Sequence, residues 1–137
     1  MKFSEMPYKR IDMEEVEKEY KSIIERTKNA KSGEEQFEVH KKYYELSGHV
    51  MTLMTIAQIR HDVDTADPFY DAENTYYDEM VPVYSSITLA YEKKVFESPY
   101  RAYLEEKIGP VAFKNMEIAQ KAFDDKLIPL SQEENAL

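Results

Sequence analysis

The chain has 137 residues, a formal net charge of −9, eleven tyrosines, six phenylalanines and no cysteine. A chain of this length is one domain that can bury roughly 68–70% of its unfolded surface, and its aromatic content excludes a disordered acidic tail. The missing cysteines exclude a disulfide framework and thiolate zinc sites, and basic residues scattered among acids exclude the clustered cations that nucleic-acid binding needs. The first residues lack the apolar core of a signal peptide. The longest uncharged run, residues 46–59, falls short of the roughly 20 residues of a membrane span. These features predict a cytoplasmic protein without a membrane or nucleic-acid partner.

Residues 1–11, with Pro7, read as extended. Asp12 and Glu15 form a capping-box-like start for a helix over 13–29, with Val16, Tyr20, Ile23 and Ile24 at helical spacing as its buried stripe. Ser32 and Glu35 open a second helix, 33–62, on the order of 45 Å long. Its stripe is Val39, Tyr43, Leu46, Val50, Leu53 and Ala57. Met51, Met54, Ile56 and Ile59 spread apolar groups round its second half, which predicts burial on most sides at the centre of the domain. Gly48 weakens this helix by up to about 1 kcal/mol and is expected to admit a close neighbour.

Asp67 and Pro68 start a third helix, 68–97. It carries two neighbouring stripes, Tyr76, Met80, Val83, Ile87 and Ala90 beside Tyr77, Val81, Tyr84, Tyr91 and Val95. Pro82 lies inside it and is expected to kink it. Ser98 and Pro99 begin a short helix over 99–107. Gly109 and Pro110 begin a fifth, 110–124, with Ala112, Met116, Ala119 and Phe123 as its stripe. Leu127, Ile128, Pro129 and Leu130 follow as an apolar crossing. Ser131 and Glu134 would cap a further helix that the chain does not continue, which suggests a fragment of something longer. No strand alternation or repeat is visible. The predicted fold is all-α, an antiparallel bundle of about five helices with one long central helix.

The turn between the second and third helices concentrates charge. Residues 59–79 hold Asp62, Asp64, Asp67, Asp71, Glu73, Asp78 and Glu79 against one arginine, Arg60. Calcium loops of the EF-hand type need a central glycine that is absent. Helix capping and dipole compensation are the expected roles of these acids, with His61 at the C-terminal end of the second helix, near Asp62 or Asp64. The three histidines, His40, His49 and His61, match neither H-E-x-x-H nor the Glu-x-x-His pairs of di-iron bundles. No catalytic residue and no metal ligand are assigned. The polar cluster Arg60, His61, Asp64, Tyr70, Asp71, Glu73 and Asn74, set against an apolar helix pair, is the candidate interdomain or substrate-facing surface.

Three stretches carry a family resemblance: residues 1–12 (MKFSEMPYKRID), 59–74 (IRHDVDTADPFYDAEN) and 97–101 (ESPYR). They resemble the N-terminal region of oligoendopeptidase F, of the thimet-type zinc oligopeptidases. The resemblance implies a bacterial cytoplasmic zinc metallopeptidase that cuts short peptides. Its H-E-x-x-H ligands and a later glutamate would lie downstream, outside this chain. The N-terminal helices would wall a cleft that admits oligopeptides. On this reading the partners are the catalytic domain of the same polypeptide and the peptide substrate. Two rival readings remain: a non-enzymatic adaptor that forms homo-oligomers through its tyrosine and methionine faces, and an acidic metal-buffering module.

Overall fold

The computed structural model describes residues 6–122. The helices are α1 (Met13–Asn29), α2 (Gly33–Val63), α3 (Pro68–Phe96), α4 (Arg101–Ile108) and α5 (Pro110–Ala122), with no strand among the described residues. The caps account for three of the starts. Asp12 accepts from the backbone N–H groups of Glu14 and Glu15, Ser32 from Glu35 and Asp67 from Phe69, meeting donors that the first helical turn leaves free. Helix α4 begins two residues later than its serine–proline start suggests. The Ser98 hydroxyl accepts from Tyr100 N–H at 3.0 Å and so organises a turn ahead of the helix.

Contacts along α2 and α3 run in opposite senses. Gln36 meets Ser98, Tyr43 stacks on Tyr91 at 4.0 Å, and His61 meets Asp71. Helix α1 lies antiparallel to α2 and packs on both long helices. Tyr20, wholly buried, joins the three through its hydroxyl, 2.8 Å from Ser47 and 3.2 Å from Tyr84. The core has two parts. One holds Ile11, Val16, Tyr20, Val50, Ala57, Tyr77 and Met80; the other holds Ile23, Val39, Tyr91, Val95, Leu104 and Phe113. Tyr43 and Leu46 pack against both. The apolar groups removed from water here supply the main driving force of folding.

Several expectations need correction. On α3 the inward face is a single stripe, Glu73, Tyr77, Met80, Tyr84, Ile87, Tyr91 and Val95, advancing by steps of three and four. It takes members from both predicted stripes and leaves Val81 and Val83 exposed at 41% and 45%. Pro82 does lie inside α3, and both it and Asp78 are exposed. The second half of α2 is covered on one side only: Val50, Ile56 and Ala57 are buried, but Met51 is 53% exposed. Apolar residues around a helix signalled a buried cylinder, yet the described residues supply neighbours for only part of it.

Gly48 is exposed, and a Cβ there would meet nothing within 4 Å. The close approach occurs at Gly33 instead, where a Cβ would lie 2.7 Å from the Tyr103 ring. On α5 the buried residue is Phe113, whereas Ala119 is exposed. Phe123, the apolar crossing and the cap at Ser131 lie outside the described residues. No helix among the described residues is long and apolar enough to cross a membrane.

Candidate functional site

Residues 6–11 form an extended arm along the α2–α3 pair, and this arm organises the candidate surface. Tyr8 and Arg10, two residues apart, point to the same side as alternation in an extended chain requires. Both reach Glu73, which is 3% exposed. Arg10 donates from Nε at 2.9 Å and from Nη2 at 2.6 Å to Oε1. The Tyr8 hydroxyl donates to Oε2. Having one proton, Tyr8 then accepts from the Tyr77 hydroxyl at 2.9 Å, and Tyr77 in turn accepts from the N–H of Ile11 at 3.1 Å. Tyr76 donates to the Ile11 carbonyl at 2.7 Å. Burial alone would raise the Glu73 pKa; the Arg10 and Tyr8 hydrogen bonds outweigh it and hold the carboxyl below its usual range.

The remaining candidates divide by position. Arg60 donates to the Tyr70 hydroxyl at 2.9 Å and to the Met6 carbonyl at 2.6 Å, which fixes the start of the arm. His61 meets Asp71 at 3.3 Å and Asp62 at 3.8 Å, so its closest acid lies across the turn on α3. Asp64 accepts from the Ala66 N–H and shapes the turn. Asp64 and Asp71 are exposed and Asn74 is half-buried. Thus Glu73, Arg60 and Tyr70 hold the fold together at this end, while His61, Asp64, Asp71 and Asn74 are available to a neighbour. Among the described residues no group of three or more His, Asp or Glu side chains is arranged to hold a metal ion. The described residues do not fit a zinc centre.

A second polar cluster, at the other end of α2, escaped sequence reasoning. Nδ1 of His40 lies 2.8 Å from the Tyr91 hydroxyl, and both rings lie beside Tyr43. Burial pushes the His40 pKa down to about 4, so the ring is neutral at pH 7 and its Nδ1 shares a single proton with the Tyr91 hydroxyl. Glu92 receives one long bond from Tyr43, 3.4 Å to Oε1, and its buried Oε2 has no partner. Burial raises its pKa, and the Tyr43 hydroxyl and the nearby Gln120 side chain, whose amide donates to the Leu89 carbonyl, only partly oppose that. His40, Lys41, Tyr44, Glu45, Glu92, Ile108 and Met116 are among the residues that line a cleft of about 710 Å³ between α2, α3, α4 and α5. The signal in the sequence was weak: His40 and Glu92 are 52 positions apart and share no spacing motif.

The sequence matches the peptidase M3 N-terminal domain over residues 3–123. Three solved structures share the fold. PZ peptidase A, solved with an inhibitor, is 32% identical over 88% of this chain, with a TM-score of 0.85. A protein described as an oligoendopeptidase F is 33% identical over 89%, with the same score. Another so described, from Bacillus anthracis str. Ames, is 33% identical over 99%, with a TM-score of 0.87. The chain spans 22–25% of the length of these relatives. No curated protein matches. A family match over nearly the whole sequence, together with a shared arrangement of helices, places this chain in the peptidase M3 family as its N-terminal domain.

Proposed function

We propose that this chain is the N-terminal helical wall of a zinc-dependent oligoendopeptidase of the cytoplasm, one that hydrolyses short peptides. The observation that carries the reading is the family match over residues 3–123 in a chain equal to only 22–25% of its relatives' length. The zinc and its ligands would belong to the rest of that polypeptide. There the metal would polarise the scissile carbonyl and activate water. This chain would contribute shape, with His61, Asp64, Asp71 and Asn74 facing the catalytic part or the peptide, and with Glu73, Arg60 and Tyr70 holding that surface in place.

The test compares the product of the native reading frame with the present chain, using a quenched fluorescent oligopeptide and metal analysis. The longer polypeptide is expected to cleave the peptide and carry zinc, and this chain to do neither. A longer polypeptide with no hydrolysis, or a native frame that stops here, would overturn the reading. Alanine at His61, Asp64 and Asp71 is expected to change kcat or KM; unaltered cleavage would remove the proposed surface. The exposure of Tyr44 and Met51, at 74% and 53%, favours a second reading, an adaptor that pairs with its own copy. A concentration-dependent dimer in a naturally short protein would support it.

A further inference from the structure

The groove between α2 and α3 on the side away from α1 has a composition unlike the rest of the surface. On α2 its strip is His40, Tyr44, Ser47, Met51, Met54 and Gln58, at steps of four and three, with Ser47 and Met54 at its floor, the first bonded to Tyr20 of α1 and the second packed on the core. On α3 it is Val81, Ser85, Thr88 and Glu92, at the same steps. Such steps keep side chains on one face of a helix, and the antiparallel pairing sets the two strips side by side. One-third of this chain's residues are charged, yet between Glu92 and Asp78, which continues the α3 strip at the turn, the strips carry no charged residue. Tyr44, Met51 and Val81 are 74%, 53% and 41% exposed. At one end the groove opens into the 710 Å³ cleft, where Oε2 of Glu92 is shut off from water without a hydrogen-bond partner. An orphan buried carboxylate oxygen and an uncharged, partly apolar face are both costly while uncovered. One covering surface would relieve both.

We infer that this groove is the seam on which the rest of a longer polypeptide packs, laying apolar side chains over Tyr44, Met51 and Val81 and bringing a hydrogen-bond donor to Glu92. The inference rests on the domain reading above. It commits to that occupant because the match covers 88–99% of this chain but only 22–25% of its relatives, so most of such a polypeptide lies beyond these helices.

The experiment is a thiol-labelling footprint, made clean in this chain by its lack of cysteine. Met51→Cys, Val81→Cys and a control on the outer face of α1, Lys21→Cys, are each placed in this chain and in the product of the native reading frame. All three are expected to label quickly in this chain. In the longer polypeptide the two groove positions should slow at least tenfold and the control should not. Equal rates at groove and control positions in an active longer polypeptide would overturn the seam while leaving the peptidase reading intact. Protection of Met51→Cys in this chain alone, growing with its concentration, would overturn it in favour of a second copy. If the frame yields no longer polypeptide, the domain reading and the seam fall together. Glu92→Leu tests the donor: it should speed labelling of Met51→Cys in the longer polypeptide while raising the unfolding midpoint of this chain alone, and unchanged labelling would remove the donor from the proposal.

Discussion

Glu73 and Glu92 stand on the same helix, both face partly or wholly inward, and their surroundings treat them in opposite ways. Glu73 meets a guanidinium and a tyrosine hydroxyl that engage both of its oxygens. Among the described residues Glu92 meets no cation and has one long bond and one orphan oxygen. The first carboxyl is held below its ordinary pKa and the second above it. The difference lies in the chain's connectivity. The extended arm of residues 6–11 delivers Tyr8 and Arg10 to Glu73, whereas no described segment brings a cation to Glu92. A complete buried polar network specifies one arrangement, and an incomplete one imposes a cost until something completes it. By this measure the Glu73 network is finished within the chain, whereas the His40 end and the buried Nδ1 of His61 are open to a partner.

The comparison breaks most visibly under acid. His40 titrates at about 4 when folded and near 6.5 when unfolded, so the unfolded chain binds more protons between those values. The stability tied to neutral His40 is fully present above about pH 6.5 and is lost as pH falls towards 4, a change of up to about 3 kcal/mol. Urea titrations from pH 7 to pH 4 should show this loss, and His40→Gln should flatten it. An identical slope in the variant would contradict the buried neutral ring. Glu92 works against His40 in the same range: with its folded pKa raised, its cost is absent in acid and develops as pH rises, so Glu92→Gln should steepen the acid loss.

Glu73→Gln is the next largest expected effect, because the amide replaces an acceptor with a donor facing Arg10. Loss of charge-assisted bonds here should destabilise the fold by about 2 kcal/mol at pH 7, measurable as a lower urea midpoint at unchanged helical content. The wild-type contribution is present above the unfolded carboxyl pKa and is lost as pH falls through the depressed folded value. The matching change, Glu92→Gln, should move the other way, stabilising this chain by about 1 kcal/mol at pH 7 by removing a poorly solvated charge. If the two substitutions shift the midpoint in the same direction, the contrast between the carboxylates is wrong.

Three helix starts were legible in the sequence because each uses local chemistry: Asp12, Ser32 and Asp67 satisfy donors within three residues of themselves, whereas Tyr100 precedes α4 without a side-chain cap. The family was legible in three short stretches. What periodicity could not give was the choice of face. On α3, apolar residues stand on both flanks of the buried stripe, so two plausible rows concealed the single one that alternates through Tyr77, Met80, Tyr84 and Tyr91. On α5, Phe113 lay beside the expected row. The seven acids of residues 59–79 drew attention to the α2–α3 turn, but the partners that explain Glu73 stand more than 60 positions away in an arm that reads as featureless. His40 and Glu92 are joined only by the antiparallel return of α3, which sets residues about 50 apart side by side and leaves no local pattern.

Gly48 gives the smallest and sharpest test, because the two views of α2 assign it opposite signs. A glycine needed for close approach would tolerate no methyl group. With nothing within 4 Å of the added Cβ and an exposed place inside a 31-residue helix, alanine should lower the entropy of the unfolded chain and stabilise the fold by about 0.5–1 kcal/mol. Thermal unfolding of Gly48→Ala in this chain should therefore show a raised midpoint. The same substitution in the longer polypeptide asks what lies over the outer face of α2. An equal gain there means open space persists at residue 48, and a loss in place of the gain means that a neighbour packs within the reach of one methyl group.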